Sequence, residues 1–296
     1  MIACVQMKLE MENYRTEAAF SAKIMEIMGR VRAEAGDGPL LVVFPEHVGT
    51  FCLLCDAPER VWSQPTFASA AKALLRGSIP SVLYHLLNYR VSPTRALVLA
   101  KAAAAERVYL SAFKQAALEY GAWIVAGSAV LRWGETRRVF NTAPVFTPTG
   151  QLIHRQHKVN LVEMEGSKGL DVDGAPLNYI SVVQSPFGNL GVAVCLDAFS
   201  ADVRERLKSL GAEILIQPSA NNHPWNEWQQ EDWLRSSYQA VVERGEFALA
   251  VNPMLVGDLW DLSFAGQSSI ITPEGYAARA ETADQEEILL YKRPQA

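Results

Sequence analysis

Cysteine is scarce in this chain. Four residues (Cys4, Cys52, Cys55 and Cys195) are spread over 296 positions, too few and too scattered for the disulfide framework of a small secreted domain. Long apolar runs are lacking too. The longest mostly apolar stretch, Gly121 to Leu131, falls well short of the roughly 20 residues that a membrane-spanning helix takes. The opening Met-Ile-Ala-Cys-Val-Gln puts no basic residue ahead of its apolar ones, so it does not read as a signal peptide. Positive charge is not in excess either. Lysine and arginine total 27 against 32 acidic residues, a formal charge of −5. That balance offers no basic footprint for nucleic acid and no polybasic attraction to anionic lipid. No Ser/Gly/Pro-rich linker divides the sequence, and no short repeat runs through it. The expectation is one cytoplasmic domain over residues 1–296, with neither nucleic acid nor membrane as partner.

What is present is ordinary for a globular enzyme-sized chain. Hydrophobic residues make up 49% and charged residues 20%, which excludes disordered, collagen-like and coiled-coil architectures. Short apolar runs alternate with helical patterns. Ile2 to Gln6 is β-like, and Asn13 to Ala35 places apolar residues at helical spacing before Gly36-Asp37-Gly38 stops it. Leu40 to Phe44 is continuously apolar and ends at Pro45, as a strand buried on both faces would. Further β-like runs follow at Trp123 to Ala126, Val139 to Thr147, Gln151 to His157, Ile180 to Val183, Leu190 to Val194, Glu213 to Gln217, Phe247 to Asn252 and Gln267 to Ile271. Helical stretches fall at Ala102 to Tyr120, Ala201 to Leu210 and Glu227 to Arg244. Mixed βα units and hairpin turns predict a layered α/β sandwich. Between Cys52 and Val108 no strand is legible, while Phe67 to Arg76 and Ser81 to Tyr89 read as helices. An insertion of that size usually covers or binds something.

Three strand ends carry chemistry. Glu46 follows the run Leu40 to Phe44, Lys158 follows Gln151 to His157, and Cys195 follows Gly191-Val-Ala-Val. Ligands of α/β folds collect at the carboxyl ends of strands. A free thiol is only a few per cent thiolate at neutral pH and needs a base, which a partly buried carboxylate such as Glu46 can supply. Lysine keeps its charge, so Lys158 suits the stabilisation of a developing oxyanion more than a proton shuttle. Taken singly, each residue has a plain alternative: an exposed acid, a surface lysine, an inert buried cysteine. Their surroundings separate them from those alternatives.

Those surroundings resemble the nitrilase (carbon–nitrogen hydrolase) superfamily. The matching stretches are Leu41-Val-Val-Phe-Pro-Glu46, His154-Arg-Gln-His-Lys158-Val-Asn-Leu161 and Gly191-Val-Ala-Val-Cys195-Leu-Asp197. Two more are Gly211-Ala-Glu-Ile-Leu-Ile-Gln-Pro-Ser219-Ala-Asn221 and Phe264-Ala-Gly-Gln-Ser-Ser-Ile-Ile-Thr-Pro-Glu-Gly275. The resemblance implies a four-layer α-β-β-α sandwich, a Glu-Lys-Cys catalytic set, no cofactor and no metal, and pairing of protomers as a homodimer or larger homo-oligomer. It implies Glu46 as base, Lys158 as oxyanion stabiliser, Cys195 as nucleophile, Glu165 as a second glutamate, and the backbone N–H of Leu196 in the oxyanion hole. Asn221, Asn222 and Phe199 are candidate substrate contacts. The implied reaction is cleavage of a small-molecule amide through a thioester. A nitrilase, an acyltransferase with the same nucleophile and a non-catalytic binder are the alternatives. The chain departs from the family at Leu196, where an aromatic residue is usual, at Phe199-Ser-Ala-Asp202 in place of Phe-Pro-Glu, and in the length of the 52–108 insertion.

Other signals have plainer explanations. Cys52-Leu-Leu-Cys55 has redox or zinc spacing, but no second such pair exists, and only His47 and His85 are left as further ligands. His154 and His157 would point to opposite faces of a strand. Trp225, Trp228, Trp233 and Trp260 crowd one region, which suits a dimer surface or a core.

Overall fold

The computed structural model describes residues 1–293. In chain order the elements begin with β1 (Ile2–Leu9), α1 (Glu17–Ala35) and β2 (Leu41–Val43). Helices α2 (Glu59–Trp62), α3 (Phe67–Gly77), α4 (Ile79–Tyr89) and α5 (Pro93–Tyr120) come next. Then follow β3 (Trp123–Val125), β4 (Ala129–Arg132), β5 (Val139–Phe146), β6 (Leu152–His157), β7 (Val182–Ser185), β8 (Gly188–Val192), α6 (Ala201–Ser209), β9 (Ile214–Ile216) and β10 (Ser219–Ala220). The chain closes with α7 (Glu227–Leu234), β11 (Leu249–Asn252), β12 (Met254–Leu259), β13 (Leu262–Phe264), β14 (Ser269–Thr272), β15 (Gly275–Arg279) and β16 (Glu287–Tyr291).

The strands form two sheets. One runs β10-β12-β1-β2-β3-β5-β4, with β13, β16 and β6 added at β12, β1 and β5; the other runs β15-β14-β11-β9-β8-β7. Parallel pairing of β1 with β2 and of β2 with β3 puts the ends of those strands on the same side, as does the parallel pairing of β8, β9 and β11.

Alternation along the strands sorts the core into layers. Ile2, Cys4, Leu41 and Val43 face Leu190, Val192, Ile214 and Val251 between the sheets. Their neighbours Ala3, Val5 and Val42 turn the other way, onto Phe20, Ile24 and Phe113 of α1 and α5. Across the second sheet, Ala193, Leu215 and Ala250 pack under Val203 and Leu207 of α6. The order helix, sheet, sheet, helix is the four-layer sandwich that the family resemblance implies.

Several boundaries differ from the sequence reading. The insertion does not stop at Val108: α5 runs unbroken from Pro93 to Tyr120, because Ser92 caps it and its alanine-rich middle packs on the sheet. The stretch Glu227 to Arg244 is not one helix. It breaks after Leu234 and resumes as a π-turn at Gln239–Glu243. Strands β4, β12, β13, β15 and β16 went unread, since flanking glycines and charges hide their apolar content. Three of the four clustered tryptophans pack within the chain. Trp233 donates to Asn252 Oδ1 at 3.1 Å, Trp225 lies edge-on to Trp233 and Trp260 stacks on Trp62. Trp228 alone of the four is exposed. Among the described residues, no helix is long and apolar enough to cross a membrane.

Candidate active site

The turns after β2, β6 and β8 meet at one buried point. Lys158 leaves β6 with its backbone N–H donated to the Asn141 carbonyl at 2.9 Å. Its Nζ donates to Glu46 Oε1 at 2.8 Å and to Glu165 Oε2 at 2.6 Å. All three side chains are buried. Burial opposes the ammonium charge, but Glu46, the Cys195 site and Glu165 outweigh it and hold Lys158 well above its ordinary value. Burial likewise opposes the Glu165 carboxylate, and Lys158, then His47, reverse that and pull it below the usual range. The ammonium is therefore fixed and charged, as electrostatic work requires.

Cys195 sits at the turn after β8 with φ of 50°, a left-handed conformation that a side chain adopts under constraint. Its N–H donates to the Pro218 carbonyl at 2.9 Å, and its sulfur lies 3.9 Å from the Ala220 carbonyl oxygen. Burial pushes the thiol up strongly; the negative charge of Glu46 adds to this, while Lys158 opposes it. The resting sulfur is thus a protonated thiol, and a nearby base must take its proton for attack.

Two polar residues complete the cluster and were not singled out for it from sequence. Asn141 donates through Nδ2 to Glu46 Oε1 at 2.9 Å and Glu165 Oε1 at 2.7 Å. The available signal was a lone amide inside the fully buried strand Val139–Phe146. His47, considered earlier only as a metal ligand by elimination, has φ of 62° and contacts Thr50 Oγ1 through Nδ1 at 2.9 Å. Its Nε2 stands 3.9 Å from Glu46 Oε1 and 3.8 Å from Glu165 Oε1. Asn141 Oδ1 and Gln217 Oε1 are buried without a hydrogen-bond partner among the described residues.

Backbone packing fixes these positions. Gly127, at φ of 70°, passes so close to the Pro45 carbonyl that a Cβ would collide with it. Asp197, two residues past the thiol, accepts from Val159 N–H at 3.0 Å and from Asn160 N–H at 2.7 Å. It locks the turn after β8 onto the turn carrying Lys158.

The remaining candidates lie around this centre. Leu196 follows the thiol in its turn and is half-buried. Phe199 is half-buried and edge-on to Trp233. The Asn221 amide donates to the His223 and Ala265 carbonyls, both at 2.9 Å, so it holds its loop; Asn222 is exposed.

Among the described residues, the one His/Cys/Asp/Glu group with ligand-like spacing is Glu46, His47 and Glu165. The Lys158 ammonium already lies between its two carboxylates, and neither Cys52 nor Cys55 belongs to it. Those two thiols neighbour each other, and burial and Cys55 together raise Cys52 well above its normal value. His157 packs against Trp133 and Phe140. Burial, helped by Arg155, lowers it to about 4, which leaves it neutral.

The carbon–nitrogen hydrolase family model matches residues 1–296, and the chain belongs to that family. Curated relatives include an omega-amidase, NIT2, of Xenopus tropicalis, 27% identical over 118 residues (36% of this chain and 40% of that one). A deaminated glutathione amidase of Synechocystis is 33% identical over 93 residues, 29% of this chain and 34% of that one. The chain thus aligns with less than half the length of these relatives. Saccharomyces cerevisiae Nit3 superposes with a TM-score of 0.63 at 18% identity, covering 97% of this chain and 88% of that one. An amidase from Nesterenkonia sp. AN1 superposes with a TM-score of 0.64 at 16% identity, covering 98% and 92%.

Proposed function

We propose that the protein is an amidase that releases ammonia or an amine through a thioester on Cys195. The observation that carries this reading is the buried Lys158 ammonium held between Glu46 and Glu165, with a neutral thiol close enough for their charges to act on it. Glu46 takes the thiol proton as the sulfur bonds to the amide carbonyl carbon. Lys158 and the Leu196 N–H hold the oxyanion, a contribution on the order of 3 kcal/mol per donor. The carbon–nitrogen bond then breaks, and Glu46 returns its proton to the leaving amine. Water, deprotonated by Glu46, attacks the thioester; acid and free thiol are formed. Glu165 positions the ammonium. The amidase names of the curated relatives favour amides over nitriles.

The test is ammonia release from primary amides and their matching nitriles, with intact-protein mass spectrometry of the stalled enzyme. An acyl adduct on Cys195, faster turnover of amides than nitriles, and loss of turnover by about 10⁴-fold or more in Cys195→Ala are expected. Full activity in that variant rules out the thioester. Added hydroxylamine should capture the acyl group as a hydroxamate in place of water, as any thioester intermediate allows.

A further inference from the structure

Helix α4, in the middle of the insertion, has no Asp, Glu, Lys or Arg among its eleven residues. It packs along α5 and buries Val82 and His85. Ile79, Leu83, Tyr84 and Leu87 stay 48%, 49%, 56% and 76% exposed. Steps of four place Ile79, Leu83 and Leu87 in one stripe. Eleven large hydrophobic side chains are exposed among the described residues; four of them are on this helix, and Leu87 is the most exposed of all. A helix without charge is ordinarily covered on every side. Exposed hydrocarbon gathered in one place marks a surface that meets something apolar.

The charge around this face has one sign. The whole chain carries 32 acids in 296 residues, yet residues 60–105 contain none, against six lysines and arginines. Exposed arginines bracket α4: Arg76 stands just before it and Arg90 ends it. The Arg60 guanidinium lies against Gly77, where α3 gives way to α4. Arg90 also borders a recess of about 510 Å³ together with Arg137 and Arg138 from the turn between β4 and β5. Among the described residues the ion-paired arginines are others, and these five make no such pair. The acids nearest the recess are already engaged. Asp171 and Asp173 pair with Arg95, and Glu135 with Arg132, each at 3.1 Å.

The formal charge of −5 over the whole chain gave no reason to expect attraction to anionic lipid. The fold overturns that expectation, because a surface feels the charges within a Debye length and not the total. We propose that α4 is a docking face for an anionic lipid surface. Ile79, Leu83, Tyr84 and Leu87 enter the boundary between headgroups and acyl chains, and the flanking arginines meet the lipid phosphates. A second copy of this chain is a poorer occupant. A two-fold contact lays a patch on its own equivalent, which sets these arginines against one another with no acid of residues 60–105 to offset them. Nucleic acid would answer the arginines and leave the hydrocarbon in water. Lipid binding here is independent of which bond Cys195 attacks.

The test is co-sedimentation of the full chain with vesicles of phosphatidylcholine alone and of phosphatidylcholine mixed with phosphatidylglycerol. Binding to the mixed vesicles is expected to be at least about tenfold tighter, and added salt should narrow that gap. Leu83→Ser with Leu87→Ser should weaken binding to the mixed vesicles by about tenfold or more. Arg76→Gln, Arg137→Gln and Arg138→Gln combined should bring both vesicles to the same weak binding. Leu118→Ser, at an exposed position of α5 away from α4, should bind as wild type does. All the altered side chains are exposed, so melting temperatures should be unchanged. No sedimentation with either vesicle, or equal sedimentation with both, overturns the assignment. So does a loss as large in Leu118→Ser as in the α4 variant. A dimer in light scattering that Leu83→Ser with Leu87→Ser dissociates, in a chain that ignores the vesicles, gives the face to a second copy instead.

Discussion

Asp197 accepts a hydrogen bond from the Asn160 backbone N–H at 2.7 Å and so ties the turn bearing the thiol to the turn bearing the ammonium. Three strand ends from two sheets must agree to within a fraction of an ångström for acyl transfer. This carboxylate is the link between two of them.

Burial raises Asp197 to about 6, against about 3.9 in an unfolded chain. The folded state therefore holds the proton more tightly. Its stabilising effect is complete below about pH 3.9 and is lost as pH rises through about 6, a change on the order of 3 kcal/mol. The difference in melting temperature between wild type and Asp197→Asn is expected to shift in favour of the variant between pH 4 and pH 6.5. Activity should move oppositely. Protonation weakens the acceptor that holds Val159 and Asn160, so kcat should fall below about pH 6. A variant whose stability difference is the same at both pH values contradicts this account.

Replacing Glu165 by glutamine leaves Lys158 a neutral partner in place of a charge. Removing one charge of a buried pair commonly destabilises by about 3 kcal/mol or more. Urea denaturation of Glu165→Gln should show a loss of this order. Its kcat should drop by about 10²-fold with little change in KM, since the ammonium would be mispositioned more than the substrate.

Asn141 supplies N–H donors to both carboxylates. Asn141→Ala withdraws them from a site closed to water, which costs about 1–3 kcal/mol. Equilibrium unfolding measures that loss. The pH–rate profile of the variant should also move on its acid side, because Glu165 loses a hydrogen bond from Asn141 that favours its charged form.

Gly127→Ala should be among the most damaging changes of a single methyl group. The backbone there is left-handed, and the new carbon would meet the Pro45 carbonyl. A destabilisation of about 2 kcal/mol or more is expected, with a fall in kcat because Pro45 carries Glu46. A thermal melt and a rate measurement check both.

Much of the fold was legible because burial on both faces leaves continuous apolar runs, as at Leu41–Val43 and Ile214–Ile216. Edge and hairpin strands such as β13 and β16 were not, since a partly exposed strand keeps polar residues and loses that mark. The Glu46, Lys158 and Cys195 positions could be read from strand ends and family-like motifs. Asn141 could not be assigned a partner, because nothing local says which side chains a strand 95 residues from Glu46 will meet.

The sequence by itself determined the chemistry available: a thiol, an ammonium and carboxylates, each placed after an apolar run by the local grammar of strand and turn. Only the tertiary structure decided which of them share a site. It also decided that His47 looks onto both carboxylates, and that arginines from separate segments flank one exposed apolar helix. Covalent order sets what each segment can offer, whereas distance and dielectric, which set every interaction energy, exist only once the layers have packed.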